Sequence, residues 1–466
     1  MERLSALDTA FLHLEDAGNP LHIASVGIFD GPAPGQPEVR RALARKLPLV
    51  PRYRQRVLQV PLQVGRPVWA DDPGFDLDDH LRRAALPSPG GTEELQSLVE
   101  TVLSQPLDPQ APLWETWVVE GLAEGRWAVI SKVHHCMVDG IAGTDVLVRL
   151  FDEAPEPGDV PPDDWRPRPE PSAVRLLGDA VLERLHDPVV DLGVGVRAVR
   201  HLGTTAISAM HMARGLAGYA TAAKPVPHTS LHGAVGTRRR FRWTTFPIAD
   251  LLEVRAGLGG TLNDVVLAAV ALTFRELLLS RGEEARPGLV RTLVPVSVRR
   301  GEDHGWEDNR VSALVAELPV ELADPVACLH EVSRRLRHLK STHEAEAGEA
   351  ITELADLMPP AGVALALRTA FRVPQWALTT VTTNVPGPRS PLYLCGRRMR
   401  ATYPYVPVAD NVRLSLAVTS YEDALFFGLT GDHASTADLA TFAEALDTNL
   451  RRLHEAATND LEQVER

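Results

Sequence analysis

WAVISKVHHCMVDG, residues 127–140, joins an apolar run to two adjacent histidines, an aspartate and a glycine. Apolar and β-branched residues lead into the histidines, which favours a strand, and Gly140 favours a turn after it. Successive side chains in extended backbone point to opposite faces, so one histidine would face a cleft while its neighbour points away. The segment therefore predicts a strand that ends in a loop carrying His134 and His135.

Three interpretations of the histidine pair are open on this pattern alone. The first is a pair of partly buried, hydrogen-bonded side chains at a strand end. The second is a metal site formed by His135 and Asp139, which would share a face only on a helix. The strand pattern and the lack of a nearby cluster of ligand residues argue against it, so no metal is expected. The third is general-base catalysis, because imidazole titrates near neutrality and can take a proton from a hydroxyl that attacks a carbonyl.

Length and composition indicate a globular protein of two domains. The chain has 466 residues, of which 44% are hydrophobic and 23% charged, a balance typical of soluble globular domains. The net charge of -13 disfavours binding to nucleic acid, and it disfavours purely electrostatic attachment to an anionic membrane. We therefore expect no nucleic-acid partner.

Cysteine usage and the N-terminal residues favour the cytoplasm. Cys136, Cys328 and Cys395 are odd in number and far apart, so neither a disulfide framework nor a CxxC metal site is predicted. The N-terminal residues mix acids with apolar residues and lack the basic start of a signal peptide. No apolar segment approaches the roughly 18 to 20 residues that span a bilayer. We expect a cytoplasmic protein whose membrane contact, where it exists, is peripheral.

Residues 152–171, rich in Pro and Asp, divide the chain. That composition disfavours a helix and leaves little to bury, as in a linker between domains. Residues 172–222 have helical spacing, and their later half is apolar. For that half a helix packed between domains is favoured over an exposed membrane-docking helix. Strand-like and helical segments alternate on both sides, which predicts two α/β domains, 1–151 and 236–466, joined by a linker and helical connector over 152–235.

The pattern His134-His135-x-x-x-Asp139-Gly140 resembles the HHxxxDG motif of the CoA-dependent acyltransferase superfamily, a group similar to chloramphenicol acetyltransferase and the condensation domains of peptide synthetases. Further segments resemble the bacterial wax ester synthase/diacylglycerol acyltransferase family and occur in that family's order: LSALDTAFLHLED (4–16), FDLDDHLRRAALPSPGG (75–91), PLWETWVVEGL (112–122), GTLNDVVLAAV (260–270), LVPVSVRRG (293–301), TTNVPGP (382–388) and SYEDALFFGLTGD (420–432). Agreement over so many ordered segments is much harder to reach by chance than agreement with one short motif.

The resemblance implies both a fold and a reaction. The fold would be α/β, with two chloramphenicol-acetyltransferase-like domains that form a pseudo-dimer with a tunnel between them. A fatty acyl group would pass from acyl-CoA, a co-substrate rather than a bound cofactor, to a long-chain alcohol or to diacylglycerol. By the match, His135 would be the general base. His134, Asp139 and Gly140 would keep the loop in shape. Cys136 would not be a nucleophile. Because such substrates are lipids, peripheral contact with the inner membrane face or with lipid droplets remains an open alternative.

Other matched segments supply further site candidates. Asn263 and Asp264 match the family's ND motif, for which a helix cap and a role in positioning His135 or the substrate are equally open. Trp114 is a candidate for substrate binding or positioning, although an aromatic residue beside a proline is more often part of a core. Asn384 is expected in a rigid Pro-Gly turn beside the tunnel.

RRRFRW, residues 238–243, is the densest basic cluster of this acidic chain. A solvated strand edge is the default explanation, because charges on an edge deter aggregation. The alternative is that Arg239 and Arg240 contact the phosphate groups of CoA, since guanidinium forks bind phosphates well.

Two other functions fit parts of this pattern. A carrier-protein-dependent condensation or polyketide-associated acyltransferase would share the histidine motif. However, the nearest approach to a carrier segment, LGGTL, has Thr261 in place of the expected serine. A non-catalytic lipid-binding protein would keep the tunnel, but the intact His135, Asp139 and Gly140 argue against it.

Overall fold

The computed structural model describes residues 2–15, 18–137, 149–182, 226–297, 311–341, 378–408 and 411–464. Two predicted site residues, Asp139 and Gly140, lie outside these ranges, as does most of the predicted helical connector, from residue 183 to 225. Within the described ranges, no helix combines the length and the apolar character required to cross a bilayer.

In these described ranges, two six-stranded sheets and one two-stranded sheet form the framework. In chain order the strands are β1 (His22–Phe29), β2 (Gln55–Leu58), β3 (Val68–Asp71), β4 (Leu81–Ala85), β5 (Trp114–Glu120), β6 (Trp127–His134), β7 (Arg239–Pro247), β8 (Arg291–Ser297), β9 (Val311–Glu317), β10 (Thr380–Val385), β11 (Tyr393–Leu394), β12 (Arg397–Tyr405), β13 (Leu414–Tyr421) and β14 (Ala424–Asp432). The principal helices are α1 (Ala6–Leu14), α2 (Gln36–Lys46), α3 (Thr92–Leu103), α4 (Ile248–Leu258), α5 (Leu262–Ser280), α6 (Pro325–Ser341) and α7 (Leu439–Val464).

The first sheet has the order β11-β12-β1-β6-β5-β4. Strands β4 and β5 run parallel, and the other neighbours run antiparallel. Strand β6 lies between β1 and β5, and every residue of it is buried, as expected for an interior strand with an apolar sequence. The strand predicted to end at the histidine pair is therefore confirmed.

The second sheet has the order β7-β14-β13-β10-β8-β9, and β10 runs parallel to both of its neighbours. Helix α5 packs against α6 and α7 on this sheet. Its residues from Asp264 to Phe274 are all buried, which explains why an apolar run of this length carries no polar face. The predicted mixture of strands and helices in both halves of the chain is confirmed.

The predicted domain of residues 236–466 is not self-contained, which corrects the boundaries drawn from the sequence. Strands β11 and β12 fall within this range but pair in the first sheet, where Tyr405 of β12 lies opposite Ala24 of β1. The two sheets approach each other closely at β12, because a Cβ added to Gly428 of β14 would lie 1.7 Å from the oxygen of Pro404. Without β12, strand β1 would expose an unpaired edge.

Residues 152–171 form no helix, as predicted from their composition. They nevertheless lie against the first domain, held there by arginines of that domain. The guanidinium of Arg45 donates to both carboxylate oxygens of Asp152, at 2.9 and 3.1 Å, and Arg54 forms an ion pair with Asp163. The segment is therefore attached along part of its length and is not a free tether.

Candidate active site

The histidine pair lies at the C-terminal end of β6. The backbone N–H of His134 donates to the oxygen of Leu113 at 2.9 Å, and that of His135 donates to the oxygen of Leu21 at 3.0 Å. A short 3-10 turn over His135–Met137 follows at once. The ladder therefore fixes the backbone of both histidines, and the side chains leave the sheet where regular pairing stops.

The side chain of His134 is fully buried and points back into the fold. Its Nδ1 accepts the backbone N–H of Cys136 at 3.1 Å, so the ring proton of the neutral form lies on Nε2. That Nε2 is 3.3 Å from a carboxylate oxygen of Glu15. This is the geometry of a side chain that holds the turn, the role that the family resemblance implies for it.

The side chain of His135 is enclosed but not locked by hydrogen bonds. Its ring lies against the ring of Phe11, with centroids 4.1 Å apart. Within the described part of the chain, its Nδ1 is buried and has no hydrogen-bond partner. Burial, with a smaller contribution from His134, lowers the pKa of His135 to about 4, because desolvation disfavours the charged imidazolium. The ring is therefore neutral near pH 7 and can accept a proton.

Cys136 follows the pair directly, and its sulfur lies 2.9 Å from Nδ1 of His134. Burial raises the pKa of this thiol, and the nearby carboxylates of Asp8 and Glu15 raise it further. A thiol with a raised pKa stays protonated and is a poor nucleophile. The geometry thus agrees with the expectation that Cys136 does not attack the substrate.

A buried lysine anchors the same strand and was not predicted from the sequence. Lys132 lies two residues before His134, and its Nζ donates to the oxygens of Val102 and Gln105, at 3.1 and 2.8 Å, and pairs with Glu115. Desolvation lowers the pKa of Lys132, and Glu115 opposes that shift. These bonds attach the C-terminal end of α3 to β6. The one available signal was a charged residue inside an otherwise apolar strand.

Helix α3 also connects the histidine-bearing strand to the second domain. The backbone N–H of Arg239 in β7 donates to Oγ of Ser104 at 2.9 Å. The backbone N–H of Phe241 and the guanidinium of Arg242 both donate to one oxygen of Glu100, at 3.0 and 2.6 Å. The position of β6 is thereby tied to the edge strand of the second sheet.

The placement of Arg239 corrects the expectation that it contacts a phosphate of CoA. Its side chain is 1% exposed, and its guanidinium donates to the backbone oxygens of Gly236 and Gly18, at 2.5 and 2.8 Å. The explanation as a solvated edge fails for the same reason, because the first domain covers this part of β7. Arg240 is half-buried and donates to the oxygen of His433 at 3.2 Å, so its proposed contact with CoA stays a prediction.

The two residues of the ND motif have different surroundings. Asp264 is buried and completes a capping box at the start of α5. Its N–H donates to Oγ1 of Thr261 at 3.2 Å, and its carboxylate accepts the N–H of Thr261 at 2.9 Å and the hydroxyl of Ser333 at 3.0 Å. Asn263 is half-buried, and its Oδ1 accepts Nδ2 of Asn384 at 3.1 Å. Asp264 thus caps the helix, whereas Asn263 joins a second predicted site residue that is distant in sequence.

Asn384 lies in β10, one residue before the strand ends, and the segment after the strand is held by side-chain contacts. The N–H of Gly387 donates to Oγ of Ser420 at 3.0 Å, and the hydroxyl of Thr419 donates to the oxygen of Val385 at 3.0 Å. A Cβ at Gly387 would lie 2.0 Å from the oxygen of Ser420, so only glycine fits. These contacts fix the backbone that presents Asn384, and the rigid Pro-Gly turn stays a prediction.

Trp114 lies in the core of the first domain. Its indole stacks between the rings of Tyr53 and His80, with centroids at 4.4 and 4.5 Å, and its N–H donates to the oxygen of Tyr53 at 2.8 Å. The side chain is buried and faces no open space. Its connection to the histidine pair is the pairing of Trp114 with Val133 across β5 and β6.

The described polar groups of this site include one neutral imidazole that can accept a proton. In the described ranges, no group of three or more His, Cys, Asp or Glu side chains could hold a metal ion. His134 points to a carboxylate and His135 to an aromatic ring, so the two imidazoles do not converge on one point. The arrangement offers one anchored histidine beside one neutral histidine that is free to act as a base.

Comparisons with known proteins match both halves of the chain to one family. The family model for the wax ester synthase/diacylglycerol acyltransferase catalytic domain matches residues 4–266, and the model for the WS/DGAT C-terminal domain matches residues 307–454. A protein of Mycobacterium tuberculosis named "Probable diacyglycerol O-acyltransferase tgs1" is 36% identical over 465 residues, which cover 97% of this chain and 96% of that protein.

Solved structures agree with these sequence matches. The wax ester synthase/diacylglycerol acyltransferase of Marinobacter aquaeolei VT8 has a TM-score of 0.67 and 25% identity, over 98% of this chain and 100% of that one. The first condensation domain of the calcium-dependent antibiotic synthetase has a TM-score of 0.61 and 20% identity, over 98% and 96% of the two chains, which shows a common fold alone. The predicted two-domain fold class is confirmed, and this chain belongs to the wax ester synthase/diacylglycerol acyltransferase family.

Proposed function

We propose that this protein transfers a fatty acyl group from acyl-CoA to a hydroxyl of diacylglycerol or of a long-chain alcohol, with His135 as the general base. Membership of the family supports acyl transfer. The observation that carries the proposed role of His135 is its neutral, enclosed imidazole at the end of β6. Because Nδ1 is buried, Nε2 is the nitrogen that can meet a substrate.

In the proposed reaction, the alcohol O–H hydrogen-bonds to Nε2 of His135 while its oxygen attacks the thioester carbonyl carbon. Nε2 takes the proton as the C–O bond forms. When the C–S bond breaks, the proton passes from the imidazolium to the departing sulfur of CoA, and the histidine returns to its neutral form. General-base assistance contributes about 10²- to 10⁴-fold, and holding both substrates in one orientation contributes more. No acyl-enzyme is required.

The proposal also concerns the identity of the molecule that accepts the acyl group. The relative from Mycobacterium tuberculosis is named for diacylglycerol, and the Marinobacter protein is named for both wax esters and diacylglycerol. These names support diacylglycerol and a fatty alcohol as the two candidate acceptors. The condensation domain gives no support to a carrier-protein donor, since its likeness extends to the fold alone.

The test is an assay of the purified protein with palmitoyl-CoA alone, with added dipalmitoylglycerol and with added hexadecanol. We expect release of the CoA thiol that depends on an acceptor, together with an ester product that mass spectrometry identifies. Equal thiol release in all three reactions would contradict the proposal. Activity only with an acyl group loaded on a pantetheine-bearing carrier protein would replace it with the carrier-dependent alternative.

We also propose that the protein meets its lipid substrates by peripheral contact with a membrane or lipid droplet. The support is an apolar patch on the helix over residues 173–182, where Val174, Val181 and Leu182 are all exposed and Val174 is 79% exposed. Because diacylglycerol is held in lipid phases, a docked enzyme reaches it at a higher local concentration.

Vesicle flotation tests this contact. The double variant Val174→Asp/Val181→Asp should bind neutral phosphatidylcholine vesicles more weakly than the parent protein. Leu279→Asp is the matched control, because Leu279 is also an exposed apolar residue but lies at the end of α5 in the second domain. Equal binding by all three proteins would exclude this patch as the contact.

A further inference from the structure

Helix α1 lies against the histidine turn and contacts both histidines. Phe11, on its last turn, packs on the ring of His135. Glu15 is the residue at which the helix ends, and its backbone N–H still donates to the oxygen of Phe11 at 3.1 Å. The same helix therefore positions both Glu15 and Phe11, the residue that packs on the ring of His135.

The carboxylate of Glu15 closes a ring of contacts around the turn. One of its oxygens accepts the backbone N–H of Leu21 at 3.1 Å, and the other lies 3.3 Å from Nε2 of His134. The oxygen of Leu21 in turn accepts the backbone N–H of His135 at 3.0 Å. One carboxylate thus holds the ring of the first histidine and, through Leu21, the backbone of the second.

The chemistry of these contacts requires a carboxylate. Nδ1 of His134 accepts the Cys136 N–H, so the ring proton of the neutral form lies on Nε2, which faces the Glu15 carboxylate at 3.3 Å without the geometry of a hydrogen bond. Glu15 therefore faces two donors, the Leu21 N–H and the His134 Nε2–H, on two separate oxygens. A glutamine has only one acceptor oxygen and would place its NH₂ group against one of these donors.

We propose that Glu15 is a positioning residue for acyl transfer, which acts through His134 and Leu21 to hold His135 in its reactive orientation. This inference rests on the proposed role of His135 as the general base. Glu15 does not touch the reacting atoms. It lies within LSALDTAFLHLED, the segment matched to the family's start, and no individual role was predicted for it.

The primary test is Glu15→Gln, with kcat and KM measured in the thiol-release assay and folding checked by thermal unfolding. We expect kcat to fall about tenfold or more, since glutamine removes the negative charge that faces Nε2 of His134 and leaves an NH₂ group facing that N–H. KM for palmitoyl-CoA should stay within about twofold, because no substrate contact is removed.

Glu94→Gln is the matched control. Glu94 is also a glutamate whose carboxylate accepts a backbone N–H next to a helix, that of Gly91 at 2.8 Å, but it lies at the start of α3 and not at the histidine turn. It should lower the melting temperature slightly and leave kcat unchanged. If both variants lose kcat in proportion to their loss of folded protein, Glu15 is structural and the inference is wrong.

A double-variant cycle tests whether Glu15 acts through His134. His134→Asn keeps an acceptor near the position of Nδ1 but removes the donor that faces Glu15. In that background, Glu15→Gln should lower kcat by no more than about twofold, because the contact it breaks is already gone. Full additivity would overturn the inference. Failure of the proposed function is seen separately, as retained activity in His135→Ala.

Discussion

Strand β6 of the first domain and strand β10 of the second are both interior strands of six-stranded sheets, and predicted site residues lie at the end of each. β6 ends in two imidazoles, one of which is anchored to a carboxylate and the other left neutral. β10 ends in the amide of Asn384, which bonds a second amide, that of Asn263. A neutral imidazole can accept a proton from a reacting hydroxyl and an amide cannot, so two similar frameworks support different tasks. Under the proposed function, the chemistry lies in the first domain and the second domain holds side chains in position.

The largest effect expected from this comparison is that of His135→Ala. Removing the proposed base should lower kcat by about 10²-fold or more without unfolding the protein, because no described hydrogen bond of its side chain is lost. His454→Ala is the control, since it removes an imidazole bonded to Glu253 on the surface of the second domain. If His135→Ala keeps more than about a tenth of the parent activity, His135 is not the general base and the proposed difference between the two domains is wrong.

A smaller effect is expected at the end of β10. Asn384→Ala should lower kcat/KM by about two- to tenfold, because a hydrogen bond between neutral groups contributes about 0.5 to 1.5 kcal/mol. Asn263→Ala should have the same effect, and the double variant should be no worse than either single one, since all three remove one contact. A loss as large as that of His135→Ala would mean that the amide pair takes part in the chemistry.

Stability rather than rate is the expected response to Asp264→Ala. This change removes the cap of α5, with its bonds to Thr261 and Ser333, and should cost about 1 to 2 kcal/mol of unfolding free energy in a urea titration. The kcat of the folded fraction should stay within about twofold. The neighbouring Asn263→Ala should instead lower activity and leave the unfolding free energy nearly unchanged. If the two variants behave identically, the assignment of Asp264 to stability and of Asn263 to positioning is wrong.

The smallest change is expected in the pH dependence of the parent enzyme. With a pKa of about 4 for His135, kcat/KM should be nearly level from pH 7 down to about pH 5.5. A base with the ordinary histidine pKa of about 6.5 would lose roughly nine-tenths of its activity there. A profile that falls with an apparent pKa near 6.5 would show that the ring is hydrated.

The same pKa shift predicts a loss of stability in acid. Burial places the folded-state pKa of His135 below its unfolded value, so between about pH 6.5 and pH 4 the unfolded chain binds more protons. The contribution to stability is present above pH 6.5 and is lost as the pH falls through this interval. The buried ring of His22, whose pKa is also lowered by burial, acts in the same direction. Denaturant titrations at several pH values measure the slope.

The parts of the site that depend on local sequence could be predicted. The apolar run of β6 and the Gly140 signal sufficed to place His134 and His135 at a strand end, and the Thr261–Asp264 spacing is that of a capping box. The fixed glycine after Asn384 was expected from its Pro-Gly sequence, and a Cβ at Gly387 would indeed meet the oxygen of Ser420. The strand end and the capping box depend on residues only a few positions apart.

The parts that depend on distant pairing could not be predicted. Glu15 meets His134 across 119 positions, as their numbers show, and nothing in either segment indicates the other. Arg239 is buried because the first domain covers this part of β7. The basic composition of its segment had instead indicated an exposed position. The pairing of β12 with β1 is of the same kind, because the pattern of apolar residues identifies a strand but does not specify its neighbour.

The insertion of β12 beside β1 has a consequence for how the chain is made. When the ribosome has produced everything up to residue 235, the first sheet still lacks its β11 and β12 strands, and β1 has an open side. That sheet cannot be completed until residue 405 has been synthesised and has left the exit tunnel. A gene split within the 183–225 segment should therefore give an insoluble N-terminal fragment that becomes soluble only when the C-terminal fragment is produced alongside it.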